Sequence, residues 1–148
     1  MGIFDFFKPK PALNTTYVRN PYGDQYFKNM EQIDVMWSVI QNLKCFSSEQ
    51  AAALEKLCIQ NINEYKLYIS AYDGIEPPHH APAYVRLAML YEKQNRFEDG
   101  IRVCVDAIQN GAYEDGSKGK MYGRLARLIK KSGLTVGEDV LKLTQEGQ

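Results

Sequence analysis

The sequence predicts an all-α protein of about six helices that pair as antiparallel hairpins and stack into a short superhelix. Apolar residues recur at intervals of three and four over most of the chain, and no β-type alternation persists beyond four residues. One amphipathic decamer also occurs twice, as YVRLAMLYEK at 84–93 and as YGRLARLIKK at 122–131. The copies are identical at six of ten positions with an offset of 38, which predicts that both stretches pack in a similar way.

The composition is that of one ordinary globular domain. A chain of 148 residues can bury roughly 70% of its unfolded surface. Its 18 Lys and Arg residues balance 18 Asp and Glu residues, so the net charge argues against attraction of the whole chain to nucleic acid. Cys45, Cys58 and Cys104 lie in apolar stretches without CxxC spacing, so buried thiols are expected rather than disulfides. This cysteine usage predicts a cytoplasmic protein.

Residues 1–25 are predicted to form an N-terminal arm and loop, ahead of a single helical domain at 26–148. The segment MGIFDFFKPKP at 1–11 is too short and too interrupted for a signal peptide or a membrane-spanning helix. Phe6 stands where a myristoylation signal requires Ser or Thr. The arm is expected either to fold onto the domain or to be a frayed end, and contact with a partner or a membrane surface is the alternative.

A long pair of helices is predicted over residues 26–74. The second helix of the pair is expected to start at a capping box of Ser47 and Gln50, to run to Tyr72 and to end at Gly74, a residue suited to the left-handed conformation. The stripe of the first helix consists of Met30, Ile33, Met36, Trp37, Ile40 and Leu43.

Two shorter hairpins are predicted to follow. The hairpin at 82–110 starts at Pro82, which suits a first helical turn, and its helices meet at a turn around Asn95. The hairpin at 119–145 follows a glycine-rich connector. Its first helix is expected to stop at Gly133, and a capping box of Thr135 and Glu138 is expected to open the last helix.

The hairpin at 82–110 resembles a tetratricopeptide repeat. The positions that carry the resemblance are the aromatic, small and turn positions of that motif, occupied here by Tyr84, Leu87, Ala88, Tyr91, Asn95, Phe97, Gly100 and Ala107. Ala112 stands in place of the closing proline. The hairpin at 119–145 matches mainly in its first helix, through Tyr122, Leu125, Ala126 and Ile129, so it resembles a diverged or capping repeat. The first 80 residues show no such resemblance.

No catalytic motif is present. The sequence lacks a phosphate-binding glycine loop, HExxH, GxSxG and a paired-cysteine metal pattern. His79 and His80 lie in a proline-bounded loop and are expected to be exposed rather than to bind zinc. Acidic pairs at 98–99 and 138–139 fall in first helical turns, where they favour the helix dipole. We therefore expect no enzyme activity, no cofactor and no metal.

The resemblance implies a non-enzymatic interaction module, a scaffold or adaptor that binds a partner protein or peptide in a groove lined by the first helix of each hairpin. The residues it places there, with Arg124 added for its spacing to Arg127, are Val85, Met89, Glu92, Lys93, Gly123, Arg124, Arg127, Lys130 and Lys131. The basic residues among them predict an acidic peptide or a terminal carboxylate as ligand. The alternatives are a merely solvated face, anion or nucleic-acid binding by the basic helix, and a homo-oligomer formed through the N-terminal arm.

Overall fold

The computed structural model describes residues 20–146, so the contacts predicted for the N-terminal arm lie outside the described residues. The described range contains six helices and no strand, apart from an isolated bridge between His80 and Glu114. The helices are α1 (Gly23–Leu43), α2 (Glu49–Ser70), α3 (Pro82–Lys93), α4 (Phe97–Gln109), α5 (Lys120–Ser132) and α6 (Glu138–Leu143). The prediction of an all-α fold with about six helices is confirmed.

The helices pack on one another in chain order. Each helix from α1 to α4 contacts the next one, α1 also packs on α3, and α6 packs on α4. α3 therefore lies in the middle of the molecule, and eight of its 12 residues are buried. None of the helices in residues 20–146 combines the length and the apolar character needed to cross a membrane.

Three predicted helix boundaries are wrong by a few residues, and two of them belong to α2. Ser48 rather than Ser47 caps α2, because its hydroxyl accepts a hydrogen bond from the Ala51 amide at 3.1 Å. α2 ends at Ser70 without using Gly74, whose φ is not positive. Side chains and backbone amides together satisfy its last carbonyl groups, since Ser70 donates to Leu67, Asn20 to Tyr68, and the Ala71 and Tyr72 amides to Leu67 and Ile69.

The start of α6 also differs from the prediction. Thr135 does not cap it, because α6 begins only at Glu138, after an extended Gly137. The two predicted left-handed turns are confirmed. Asn95 and Gly133 have φ angles of 59° and 69° at the ends of α3 and α5. An asparagine or a glycine enters this conformation at lower cost than other residues do.

The two decamers are buried to different extents. In α5 only Met121, Leu125 and Leu128 are buried, and Ala126 is exposed although its counterpart Ala88 is fully buried. The prediction that Ala126 repeats the packing role of Ala88 is therefore wrong. The burial differs because α3 packs on three helices, α1, α2 and α4, whereas α5 packs mainly on α4.

The cysteines are unpaired, as expected. Cys58 and Cys104 are buried, and Cys45 is half-buried. Burial raises the pKa of both the Cys58 and the Cys104 thiol to about 12, so both remain protonated at neutral pH.

Candidate interaction face

Side chains of α1, α3 and α5 form a row across three helices, which we call the α1/α3/α5 face. It consists of Asp34, Arg86, Met89, Glu92, Arg127 and Lys131. Arg86 Nε donates to Asp34 Oδ1 at 2.9 Å and so links α3 to α1. Glu92 links α3 to α5, and Met89 lies on the turn of α3 between Arg86 and Glu92.

Glu92 is the centre of the contact between α3 and α5. Arg127 holds its carboxylate with two nitrogens, Nη2 at 3.1 Å from Oε1 and Nε at 3.2 Å from Oε2. Lys131 Nζ lies 2.7 Å from Oε2. The hydrogen bond from Arg127, supported by that from Lys131, lowers the pKa of Glu92 to about 2. The predicted convergence of Arg127 and Lys131 on one side of α5 is therefore present, but it meets a carboxylate of the chain itself.

Two of the predicted binding residues offer little surface to a partner. Val85 is only 5% exposed and lines a cavity of about 70 Å³ between α1, α3 and the α4–α5 connector. Arg124 is bound to Asp115, with Nη2 at 3.0 Å from Oδ2, and their side chains are 11% and 0% exposed. Burial alone would raise the pKa of Asp115, but hydrogen bonds from Ser117 and the Arg124 charge outweigh it and lower that pKa.

The remaining predicted residues differ in their contacts. Lys93 and Lys130 are exposed, and within residues 20–146 neither has an acidic partner. Lys93 Nζ lies 5.5 Å from the centre of the Phe46 ring, a cation–π distance. Gly123 is half-buried and continues the backbone hydrogen bonding of α5 by donating to the Gly119 carbonyl.

The sequence interpretation missed Asp34, Arg86 and Asp115. The signal was available in the third position of the decamer, which is arginine in both copies, as Arg86 and Arg124. Each of these arginines pairs with an aspartate, Arg86 with Asp34 of α1 and Arg124 with Asp115 of the connector. The arginine at the third position of both copies was therefore a signal that this position forms an ion pair with a neighbouring element.

A groove between α2 and α4 was not predicted from the sequence. It has a volume of about 470 Å³ and lies over α3, with Ile59, Ile62, Val103 and Leu87 among its apolar lining residues. Lys66 and Asp106, which pair at 3.0 Å, also line it. The lining charges are paired with one another, so the groove shows no preference for a ligand of either charge.

The prediction that both loop histidines are exposed is wrong for His79. Its Nδ1 lies 2.7 Å from the Gly111 carbonyl oxygen and its Nε2 lies 2.7 Å from Glu76, while its ring stacks on Tyr113. The Glu76 hydrogen bond is the main cause of a raised His79 pKa. His80 is exposed. Within residues 20–146, no three His, Cys, Asp or Glu side chains are arranged to hold a metal ion.

No family model matches this chain, and no curated protein or solved structure shows significant similarity to it. The resemblance to tetratricopeptide repeats therefore depends on the residues of the two hairpins alone.

Proposed function

We propose that this chain is a non-enzymatic protein-interaction module of the tetratricopeptide type that binds an acidic segment of a partner protein. The proposed site is the part of the α1/α3/α5 face between α3 and α5, together with the neighbouring exposed lysines. The observation that carries the proposal is the local charge. Among the described residues, four exposed cationic side chains surround one carboxylate there, that of Glu92, in a chain whose net charge is zero; they are Lys93, Arg127, Lys130 and Lys131.

The exposure of these groups supports an acidic ligand. The side chains of Arg127 and Lys131 are 47% and 48% exposed, so each keeps donor groups that face solvent beside Glu92. Lys93 and Lys130 add charge without an acidic partner among the described residues. A local positive potential of this kind raises the rate of association with acidic segments and disfavours basic ones. Met89 supplies an apolar contact between the charged positions.

Nucleic acid is the less favoured ligand for the same charges. Single-stranded nucleic acids bind through free aromatic faces interleaved with basic groups. The Tyr113 ring lies 5.4 Å from Lys120 Nζ, but the His79 and Tyr122 rings stack on it with centroid distances of 4.6 and 6.0 Å. The faces of the Tyr113 ring are therefore occupied.

The free thiols further support the cytoplasmic location proposed for this module.

The test is charge reversal at Lys93 and Lys130, which make no ion pair within residues 20–146. We expect Lys93→Glu/Lys130→Glu to weaken binding of fluorescein-labelled acidic 12-residue peptides by roughly 10-fold, because two exposed charges contribute about 1–1.5 kcal/mol together. Fluorescence anisotropy at low and moderate salt measures the change. The matched control is Lys56→Glu/Lys142→Glu, which reverses two exposed lysines on α2 and α6 and is expected to leave binding unchanged.

Three outcomes would contradict the proposal. The first is that no acidic peptide binds at low salt. In the second, both double variants weaken binding equally, which would indicate a non-specific charge effect. The third is a 12-nucleotide single strand that binds more tightly than every peptide and loses affinity steeply with salt, which would assign the face to nucleic acid.

A further inference from the structure

One side of α1 carries an apolar stripe that the described residues leave open to solvent. Val35, Val39 and Leu43 follow one another at intervals of four residues, so they lie along one side of the helix. Their exposed fractions are 66%, 47% and 70%. The opposite side of α1, with Ile33 and Trp37, is buried against the rest of the molecule. Because α1 is the first described helix of the stack, no described helix precedes it to cover the stripe.

The chain segment before α1 is long enough to reach this stripe. It enters the described range at Asn20, which donates to the Tyr68 carbonyl oxygen at 2.8 Å beside the start of α1. At about 1.5 Å per residue, Val35 and Leu43 lie roughly 18 and 30 Å along α1 from Gly23. The 12 residues at 8–19 span up to about 40 Å when extended, so residues before them reach the full length of the stripe.

The chemistry of this segment is complementary to α1. Residues 3–7 read IFDFF, so four of the five are large and apolar. Residues 8–19 contain three basic residues and no acidic one, whereas Gly23–Asp34 contains three acidic residues, of which Asp34 also pairs with Arg86, and one basic residue. The prolines at 9 and 11 favour an extended path over a helix. If this basic stretch ran antiparallel along the acidic half of α1, it would bring IFDFF to the apolar half.

We propose that residues 3–7 of this chain dock on the stripe formed by Val35, Val39 and Leu43 and so cover the N-terminal end of the helical stack. Removing both apolar surfaces from water drives the contact. The docking site lies on α1 and is separate from the acidic-ligand site proposed between α3 and α5, so each proposal is tested without the other.

The test is a double-mutant cycle between the segment and the stripe. One change deletes residues 2–8, and the other is Val35→Ser/Val39→Ser/Leu43→Ser. Each alone is expected to lower Tm by roughly 5 °C or more, because each uncovers several apolar side chains. Both together are expected to lower Tm no further than the larger single effect, because each change removes the same contact. The matched control is Ile59→Ser/Leu67→Ser, which changes two side chains of α2 that are each 47% exposed.

A second measurement separates contact from general stability. The methyl NMR resonances of Val35, Val39 and Leu43 are expected to shift when residues 2–8 are deleted, whereas those of Ile59 and Leu67 stay in place. Additive Tm effects, or stripe resonances that do not move on deletion, would overturn the proposal. So would a dimer, seen by light scattering, that dissociates on substitution of the stripe, because a second copy would then be the occupant.

Discussion

Replacing Glu92 by Gln removes the charge that joins α3 to α5 while keeping the shape of the side chain. Lowering the pKa of Glu92 from 4.5 to about 2 would correspond to roughly 3 kcal/mol if 1.36 kcal/mol is taken per pKa unit. Arg127 and Lys131 are about half exposed, and solvent screening reduces that figure to about 1–2 kcal/mol. We therefore expect Glu92→Gln to lower the free energy of unfolding by about 1–2 kcal/mol at pH 7, measured by urea denaturation.

The pH dependence provides the sharper measurement. Because the pKa of Glu92 is lower in the folded state, its stabilising contribution is complete above pH 4.5 and is lost as the pH falls towards 2. The difference in unfolding free energy between wild type and Glu92→Gln is thus expected to be constant from pH 7 to about 5. By about pH 3 it is expected to be less than half as large.

The control for Glu92 is Glu98→Gln. Glu98 forms an exposed pair with Arg102 within α4, so the substitution is expected to change the unfolding free energy by less than about 0.5 kcal/mol. Equal stability of Glu92→Gln and wild type at pH 7 would refute the reasoning. A difference that does not depend on pH would refute it as well, since the effect would then arise from packing rather than charge.

Three further predictions concern the packing, the loop histidine and the turns. Leu128→Ala is expected to lower the unfolding free energy by about 2–5 kcal/mol in urea denaturation, and Ala126→Ser by less than about 0.5, because Leu128 is fully buried and Ala126 is exposed. The His79 pKa is raised in the folded state, so its contribution is complete below pH 6.5 and is lost at higher pH. The destabilisation by His79→Gln should accordingly be larger at pH 6 than at pH 8.5 in thermal unfolding; a larger effect at pH 8.5 would contradict the role given to Glu76. Asn95→Gly is expected to preserve or raise Tm, whereas Gly133→Ala should lower it through a cost of about 1 kcal/mol at positive φ.

Local chemistry made the short hairpins predictable. The start of α3 at Pro82 was predicted correctly, and so were the left-handed turns at Asn95 and Gly133. These features depend on residues close in sequence. The cap of α2 was predicted one residue early, because Ser47 and Ser48 are equally suited to cap a helix. The geometry of the preceding turn decides between them, since both the amide and the hydroxyl of Ser48 donate to the Cys45 carbonyl oxygen, the hydroxyl at 2.8 Å.

The binding face was harder to predict than the fold. Helical spacing places Val85 and Arg124 on the same sides of α3 and α5 as the other predicted residues, but spacing does not show how close the neighbouring element lies. The α4–α5 connector approaches both residues and encloses them, with Asp115 as the direct partner of Arg124. The partner of Arg127 and Lys131, Glu92, was itself predicted on the face, but pairing across two helices is not visible in one decamer.

The two arginine pairs have unequal consequences for how the chain folds. Arg124 meets its aspartate across nine residues of sequence, whereas Arg86 meets Asp34 across 52. Closing the shorter loop costs less conformational entropy and is faster. We expect the connector and α5 to organise before α1 reaches α3. In a chevron experiment, removing the Asp115 carboxylate should then mainly slow refolding, and removing that of Asp34 should mainly accelerate unfolding.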